Sequence, residues 1–154
     1  MTALCTGSFD PITIGHYDYI RRAALMFDRV VVAVSVNSEK RYMFDAESRM
    51  RFAKEAFEGL SNVSVVLDDG WVADLAALHN ADVIIKGVRN GADLDYEYTI
   101  ACINKAVNGV ETLFIPSSPE YSFVSSTMVR ELIKYGKDYA PYIPKGVCIE
   151  NKEV

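Results

Sequence analysis

Val30-Val31-Val32-Ala33-Val34-Ser35-Val36 gives water no polar face to wet. A strand with one solvated side alternates apolar and polar residues, whereas a continuous β-branched run belongs to a strand covered on both sides, as in a parallel sheet between helices. The flanking patterns supply that cover. Residues 15–27 have helical spacing, with Ile20, Ala23, Ala24 and Phe27 on one face. Asp45 reads as the N-cap of a helix reaching about Phe57. Further strands are expected at residues 3–6, 63–67, 82–85 and 112–115, with helices at 71–78, 92–107 and 128–135. This alternation predicts an α/β fold, a five-stranded parallel sheet with helices on both faces. With 154 residues and no internal repeat, the chain reads as a single domain, 1–154, with a polar tail from about 150 that should fray.

The first turn carries the densest chemistry. Thr6-Gly7-Ser8-Phe9-Asp10-Pro11-Ile12-Thr13-Ile14-Gly15-His16 runs from the end of the first strand into the first helix. Strand, glycine-containing turn and helix N-terminus together present unpaired N–H groups, a setting that suits an anion and phosphate above all. Gly7 lets the backbone approach a ligand, Ser8 offers a hydroxyl, and His16 falls near the first helical turn. The same letters also describe an ordinary turn followed by a capping histidine. Position favours the ligand, because open α/β sheets bind at the carboxyl ends of their strands.

Other cations and hydroxyls recur at the same kind of place. Lys40 and Arg41 lie in the loop after the second strand. Lys86-Gly87-Val88-Arg89 is expected directly after the fourth strand, where an ammonium and a planar fork would reach a phosphate chain. Asp93 and Asp95 are expected to charge the first turn of the next helix favourably, and Glu97 to serve there or to accept from a base or ribose. Ser125-Ser126-Thr127 precedes the last helix with Arg130 a turn in; one serine suffices for a cap, which leaves two hydroxyls for an anion. Tyr121 is positioned to stack on a base or to pack locally.

Whole-chain properties narrow the classes. A net charge of −5 argues against a nucleic-acid binder held by general electrostatics, while leaving room for a local cation cluster. Cys5, Cys102 and Cys148 show no CxxC spacing, so buried free thiols in a reducing compartment are expected rather than a metal or disulfide. No apolar run approaches membrane-spanning length, and a cytoplasmic protein is expected.

Taken together, Gly7-Ser8-Phe9-Asp10-Pro11, Thr13-Ile14-Gly15-His16, Lys86-Gly87-Val88-Arg89 and Val124-Ser125-Ser126-Thr127-Met128-Val129-Arg130 resemble the motifs of the nucleotidyltransferase superfamily with the (T/H)xGH signature. Within it the chain closely resembles the phosphopantetheine adenylyltransferases, from the first strand to about Gly136. That resemblance implies a Rossmann-like nucleotidyltransferase fold and transfer of AMP from ATP to 4′-phosphopantetheine in coenzyme A biosynthesis. It implies Mg²⁺ carried by the nucleotide phosphates, no protein-held metal, and assembly as a homohexamer. It assigns His16, Lys40 and Arg89 to catalysis. Ser8, Phe9, His16, Gly87, Val88, Arg89, Glu97 and Tyr121, Ser122, Phe123, Val124, Ser125, Ser126, Thr127 would hold ATP. Ser8, Lys40, Val72 and Lys86 would hold phosphopantetheine.

Direct in-line transfer needs no nucleophilic side chain, because the substrate phosphate attacks; the protein has to bring two polyanions together and neutralise developing charge. Two departures from the family pattern stand out. Lys86 occupies a position where Arg is usual, which gives up a bidentate fork. The segment after Gly136, with Pro141 and Pro144, is short for a terminal helix. Competing readings are a sister enzyme acting on nicotinate mononucleotide or glycerol phosphate, and a non-catalytic α/β nucleotide-binding module.

Overall fold

The computed structural model describes residues 1–37 and 39–150. Its five strands are β1 (Thr2–Gly7), β2 (Arg29–Ser35), β3 (Val63–Asp68), β4 (Val83–Val88) and β5 (Glu111–Pro116). The helices between them are α1 (Ile14–Met26), α2 (Ala46–Phe57), α3 (Val72–Leu78) and α4 (Gly91–Asn108), with α5 (Ser126–Lys134) after β5. All four strand pairings are parallel, in the order β3-β2-β1-β4-β5. The α/β expectation therefore holds.

The apolar run of β2 is buried as its composition requires, with Val30 to Val34 all at 0 % exposure. Its pleat divides it between two cores. Val30, Val32 and Val34 join Ile20, Phe52 and Ile143 on one face. Val31 and Ala33 join Leu4, Leu75 and Ile84 on the other. Asp45 caps α2 by accepting from the Ser48 N–H, and Phe52, Ala53, Ala56 and Phe57 turn inward.

Strand order matters for function. The chain proceeds outward from β1 to β2 and β3, then crosses back to place β4 on the other side of β1. Where order reverses, the connections leaving β1 and β4 diverge to opposite faces and open a crevice above their carboxyl ends. Gly7 and Val88 end those two strands.

Several local expectations need correction. β4 runs on to Val88, so Lys86, Gly87 and Val88 belong to the strand; pairing with Phe114, Ile115 and Pro116 of β5 carries it there. Asn90 caps α4, which puts Asp93 in its first turn and Asp95 beyond it. Ser125 is the cap of α5, and Ser126 and Thr127 already lie inside that helix. Of the thiols only Cys5 is buried, where the apolar surroundings push it up to about 12; Cys102 and Cys148 are exposed. The stretch after Gly136 folds into a short 3-10 turn, Ala140–Tyr142, followed by Ile143 and Val147 inserted into the larger core. Residues 151–154 of the expected tail, and Ser38 of the loop after β2, lie outside the described residues. Among the described residues, no helix is long and apolar enough to cross a membrane.

Candidate active site

His16 is fixed before any ligand arrives. Thr13 caps α1: its hydroxyl accepts from the His16 N–H at 3.3 Å, while its own N–H donates to His16 Nδ1 at 3.0 Å. A backbone N–H can only donate, so Nδ1 is the bare nitrogen and the imidazole proton sits on Nε2. Burial, reinforced by the Arg89 charge, lowers the His16 pKa to about 4. At neutral pH the ring is therefore uncharged and offers Nε2–H as a donor. Phe9 and Tyr19 meet it edge-on, with ring centroids 5.1 and 6.3 Å away. Capping and donor are thus one arrangement rather than alternatives.

Beside it, Lys40 Nζ donates to the Ser8 hydroxyl at 3.1 Å, which ties the loop after β2 to the turn after β1. Two residues not singled out from sequence hold that joint. Asp10, buried, accepts from the N–H groups of Met43 and Phe44, both at 3.0 Å. Arg49, only 1 % exposed, donates to the carbonyls of Ser8, Ser35 and Phe44. Arg49 left a trace in the sequence, since it occupies the buried stripe of α2 with Phe52, Ala53 and Ala56. Asp10 showed only as a letter of the Gly7-Ser8-Phe9-Asp10-Pro11 motif, with no sign of the backbone N–H groups it accepts from.

The β4 side is built from cations already in contact with acids. Lys86 Nζ donates to the Thr6 carbonyl at 3.3 Å and lies 3.3 Å from the Glu97 carboxylate. Arg89 grips Asp93 through two bonds, Nε to Oδ2 at 2.7 Å and Nη2 to Oδ1 at 3.0 Å. That guanidinium holds the Asp93 carboxyl below its ordinary range. A third bond, Nη1 to the Val124 carbonyl at 3.4 Å, reaches toward α5. Gly87 is required by packing: a Cβ there would stand 2.4 Å from the Tyr19 ring.

The serine-rich helix start has more structural duties than its letters suggested. Ser125 accepts from the Met128 N–H, and the Ser126 hydroxyl donates to the Pro11 carbonyl at 2.8 Å. Thr127 Oγ1 accepts from Arg130, whose other nitrogen donates to the Asp10 carbonyl at 2.6 Å. These bonds bind the start of α5 to the turn after β1.

All of this faces one cleft of about 550 Å³. Ser8, Phe9, His16, Lys40, Val72, Lys86, Gly87, Arg89, Glu97, Val124, Ser125, Ser126 and Thr127 line it. His16 and Arg89 thus share one cavity. Four others named from sequence do not line it. Val88 is buried in β4, and Tyr121 lies beside Gly15. The Ser122 hydroxyl turns to the Pro119 carbonyl, and the exposed Phe123 ring meets Tyr142 edge-on. Arg41 and Arg130 add cations to the lining, so a chain of net charge −5 gathers positive charge here. Among the described residues no group of three or more His, Cys, Asp or Glu is placed to hold a metal. The carboxylates of the cleft are already engaged, Asp10 by backbone N–H groups, Asp93 by Arg89 and Glu97 by Lys86.

The cytidylyltransferase-like family model matches residues 4–132. A phosphopantetheine adenylyltransferase of Flavobacterium psychrophilum is 42% identical over 148 residues, 96% of this chain and 98% of that relative. One from Thermobifida fusca is 42% identical over 141 residues, 92% of this chain and 86% of the relative. Among solved structures, a Vibrio parahaemolyticus protein described as a nicotinate-nucleotide adenylyltransferase superposes with a TM-score of 0.68 at 20% identity, covering 95% of this chain and 88% of its own. At that identity the likeness speaks for the fold.

Proposed function

The chain belongs to the cytidylyltransferase-like nucleotidyltransferases and, within them, to the phosphopantetheine adenylyltransferase family; from that premise we propose that it transfers AMP from ATP to 4′-phosphopantetheine, releasing pyrophosphate and giving dephospho-CoA. An oxygen of the phosphopantetheine phosphate attacks the α-phosphorus of ATP in line, the bond to the β-phosphate oxygen breaks, and pyrophosphate leaves with that electron pair. No covalent enzyme intermediate is formed.

The observation that carries this reading is the neutral, pre-aimed His16 in the same cleft as Lys40 and Arg89. Charge builds on the non-bridging oxygens of the α-phosphate as the transition state forms, and a donor already fixed by its helix cap meets it without reorganising. Ser8, Lys40, Val72 and Lys86 hold the acceptor in this scheme. Gly87, Arg89, Glu97 and the start of α5 hold the nucleotide. In this scheme Mg²⁺ would enter on the nucleotide phosphates and supply further charge neutralisation. The enzyme is proposed to act in the cytoplasm as a homo-oligomer, a hexamer by resemblance. Helix α4 exposes apolar side chains on two sides, Leu94 and Tyr98 on one and Ile103 and Val107 on the other, surface that such an assembly would cover.

The test is pyrophosphate release with ATP and each acceptor in turn. Turnover with 4′-phosphopantetheine, and none with nicotinate mononucleotide or with CTP and glycerol phosphate, is expected. Product from nicotinate mononucleotide alone would transfer the chain to the sister activity, and silence with every pair would leave a binding module.

A further inference from the structure

We propose that Arg49 is a positioning residue for the acceptor-phosphate half of the cleft, setting the Ser8–Lys40 pair without touching substrate. The inference rests on the proposed adenylyl transfer and names what shapes one half of that site.

Arg49 lies on the buried face of α2, yet its guanidinium reaches three separate backbone segments. Nη1 donates to the Ser8 carbonyl at 2.7 Å and to the Ser35 carbonyl at 2.8 Å, and Nε donates to the Phe44 carbonyl at 3.2 Å. These are the turn after β1, the end of β2 and the far end of the loop after β2. The guanidinium also lies 3.9 Å from the centre of the Tyr42 ring, and the Tyr42 hydroxyl accepts from the Asn37 N–H. One planar cation therefore ties together both ends of the loop that carries Lys40 and the turn that carries Ser8. The separation of 3.1 Å between Lys40 Nζ and Ser8 Oγ follows from that joint.

A helix-packing role alone does not call for a buried arginine. An apolar side chain would fill this place beside Phe52 and Ala53 without the desolvation cost of a charge. Arginine is suited to a fork that bonds several carbonyls at fixed angles, whereas lysine at the same position offers a single point charge on a flexible stem. None of the three bonds touches β4, α4 or α5, so the effect should be confined to one half of the cleft.

Steady-state kinetics of Arg49→Lys test this. The KM for 4′-phosphopantetheine should rise about tenfold, while the KM for ATP stays within about twofold. Loss of kcat with both KM values unchanged would mark a purely structural residue, and an equal rise in both KM values would remove the assignment to one half. Placed on Lys40→Ala, Arg49→Lys should add less than about threefold, because the joint no longer has its lysine to position. Independent, multiplying effects would overturn the proposal. If Arg49→Lys does not fold, Tyr42→Leu carries the test. It removes the ring platform and should raise the same KM alone, by about threefold; no change, or a change in the ATP KM, counts against the proposal. Wild-type turnover reports separately on the reaction. Were it absent, ³¹P titration of inorganic phosphate into the enzyme saturated with a non-hydrolysable ATP analogue would still read Arg49. Weaker phosphate binding in Arg49→Lys supports the role, and equal binding refutes it.

Discussion

On the β1–β2 wall of the cleft, the groups that set geometry are out of water: Asp10 is 4 % exposed, Arg49 1 % and Thr13 1 %. On the β4–α5 wall, the Arg89 and Asp93 side chains that grip each other are 34% and 26% exposed. Both walls hold cations by hydrogen bonds of similar length, but the consequences differ. A buried donor that loses its partner leaves an unsatisfied group, so the first wall is stiff. An ion pair within reach of water can exchange one anionic partner for another, so the second can pass Arg89 from Asp93 to a phosphate. Chemistry that needs one fixed donor and one adaptable clamp is served by that division.

Replacing His16 breaks the stiff wall at its reactive point. His16→Ala should cost about 10²–10³-fold in turnover or more, with the circular dichroism spectrum unchanged. Retained turnover would take the imidazole out of the reaction.

The same residue gives a pH signature. The His16 pKa falls from 6.5 to about 4 on folding, so the unfolded chain binds a proton in that window and the folded one does not. Stability contributed by the neutral ring is present above 6.5 and declines as pH falls toward 4, by about 3 kcal/mol in full. Urea unfolding should show wild type losing that much more than His16→Ala between neutral pH and about 4.

Gly87→Ala sharpens the contrast by intruding where the walls meet. Its Cβ would fall 2.4 Å from the Tyr19 ring, and thermal unfolding should report a loss of about 1–3 kcal/mol. An unchanged melting temperature would mean that Tyr19 moves aside freely. The smallest effect belongs to the soft wall. Asp93→Asn removes the carboxylate that competes with phosphate for Arg89 and should lower the KM for ATP by about threefold, less in high salt, with the acceptor KM unmoved.

How far these features could be read beforehand depended on the distance over which each is encoded. β2 announced itself, because burial on both faces is written residue by residue in its valines. Asp45 was legible as a cap, since a cap and its N–H lie three residues apart; a cap was also legible before α5, though not that Ser125 among the three hydroxyl residues supplies it. Long-range partners were not. The Ser126 bond to Pro11 spans 115 residues and the Arg49 bond to Ser8 spans 41, so no local pattern foretold them. Lys86 read as lying just past its strand, and it is the packing of Tyr19, invisible in the local letters, that accounts for a glycine inside β4. The surplus hydroxyls beside Ser125 invited an anion, and tertiary contacts account for part of them.

A structure of the enzyme with a non-hydrolysable ATP analogue tests the central claim most directly. The triphosphate should lie between the Ser8 turn and the start of α5, in contact with Arg89, with an α-phosphate oxygen within hydrogen-bond reach of His16 Nε2. The space between Ser8, Lys40 and Lys86 should stay free for the acceptor. A triphosphate seated on Lys40 and Lys86, or held away from His16, would contradict the account.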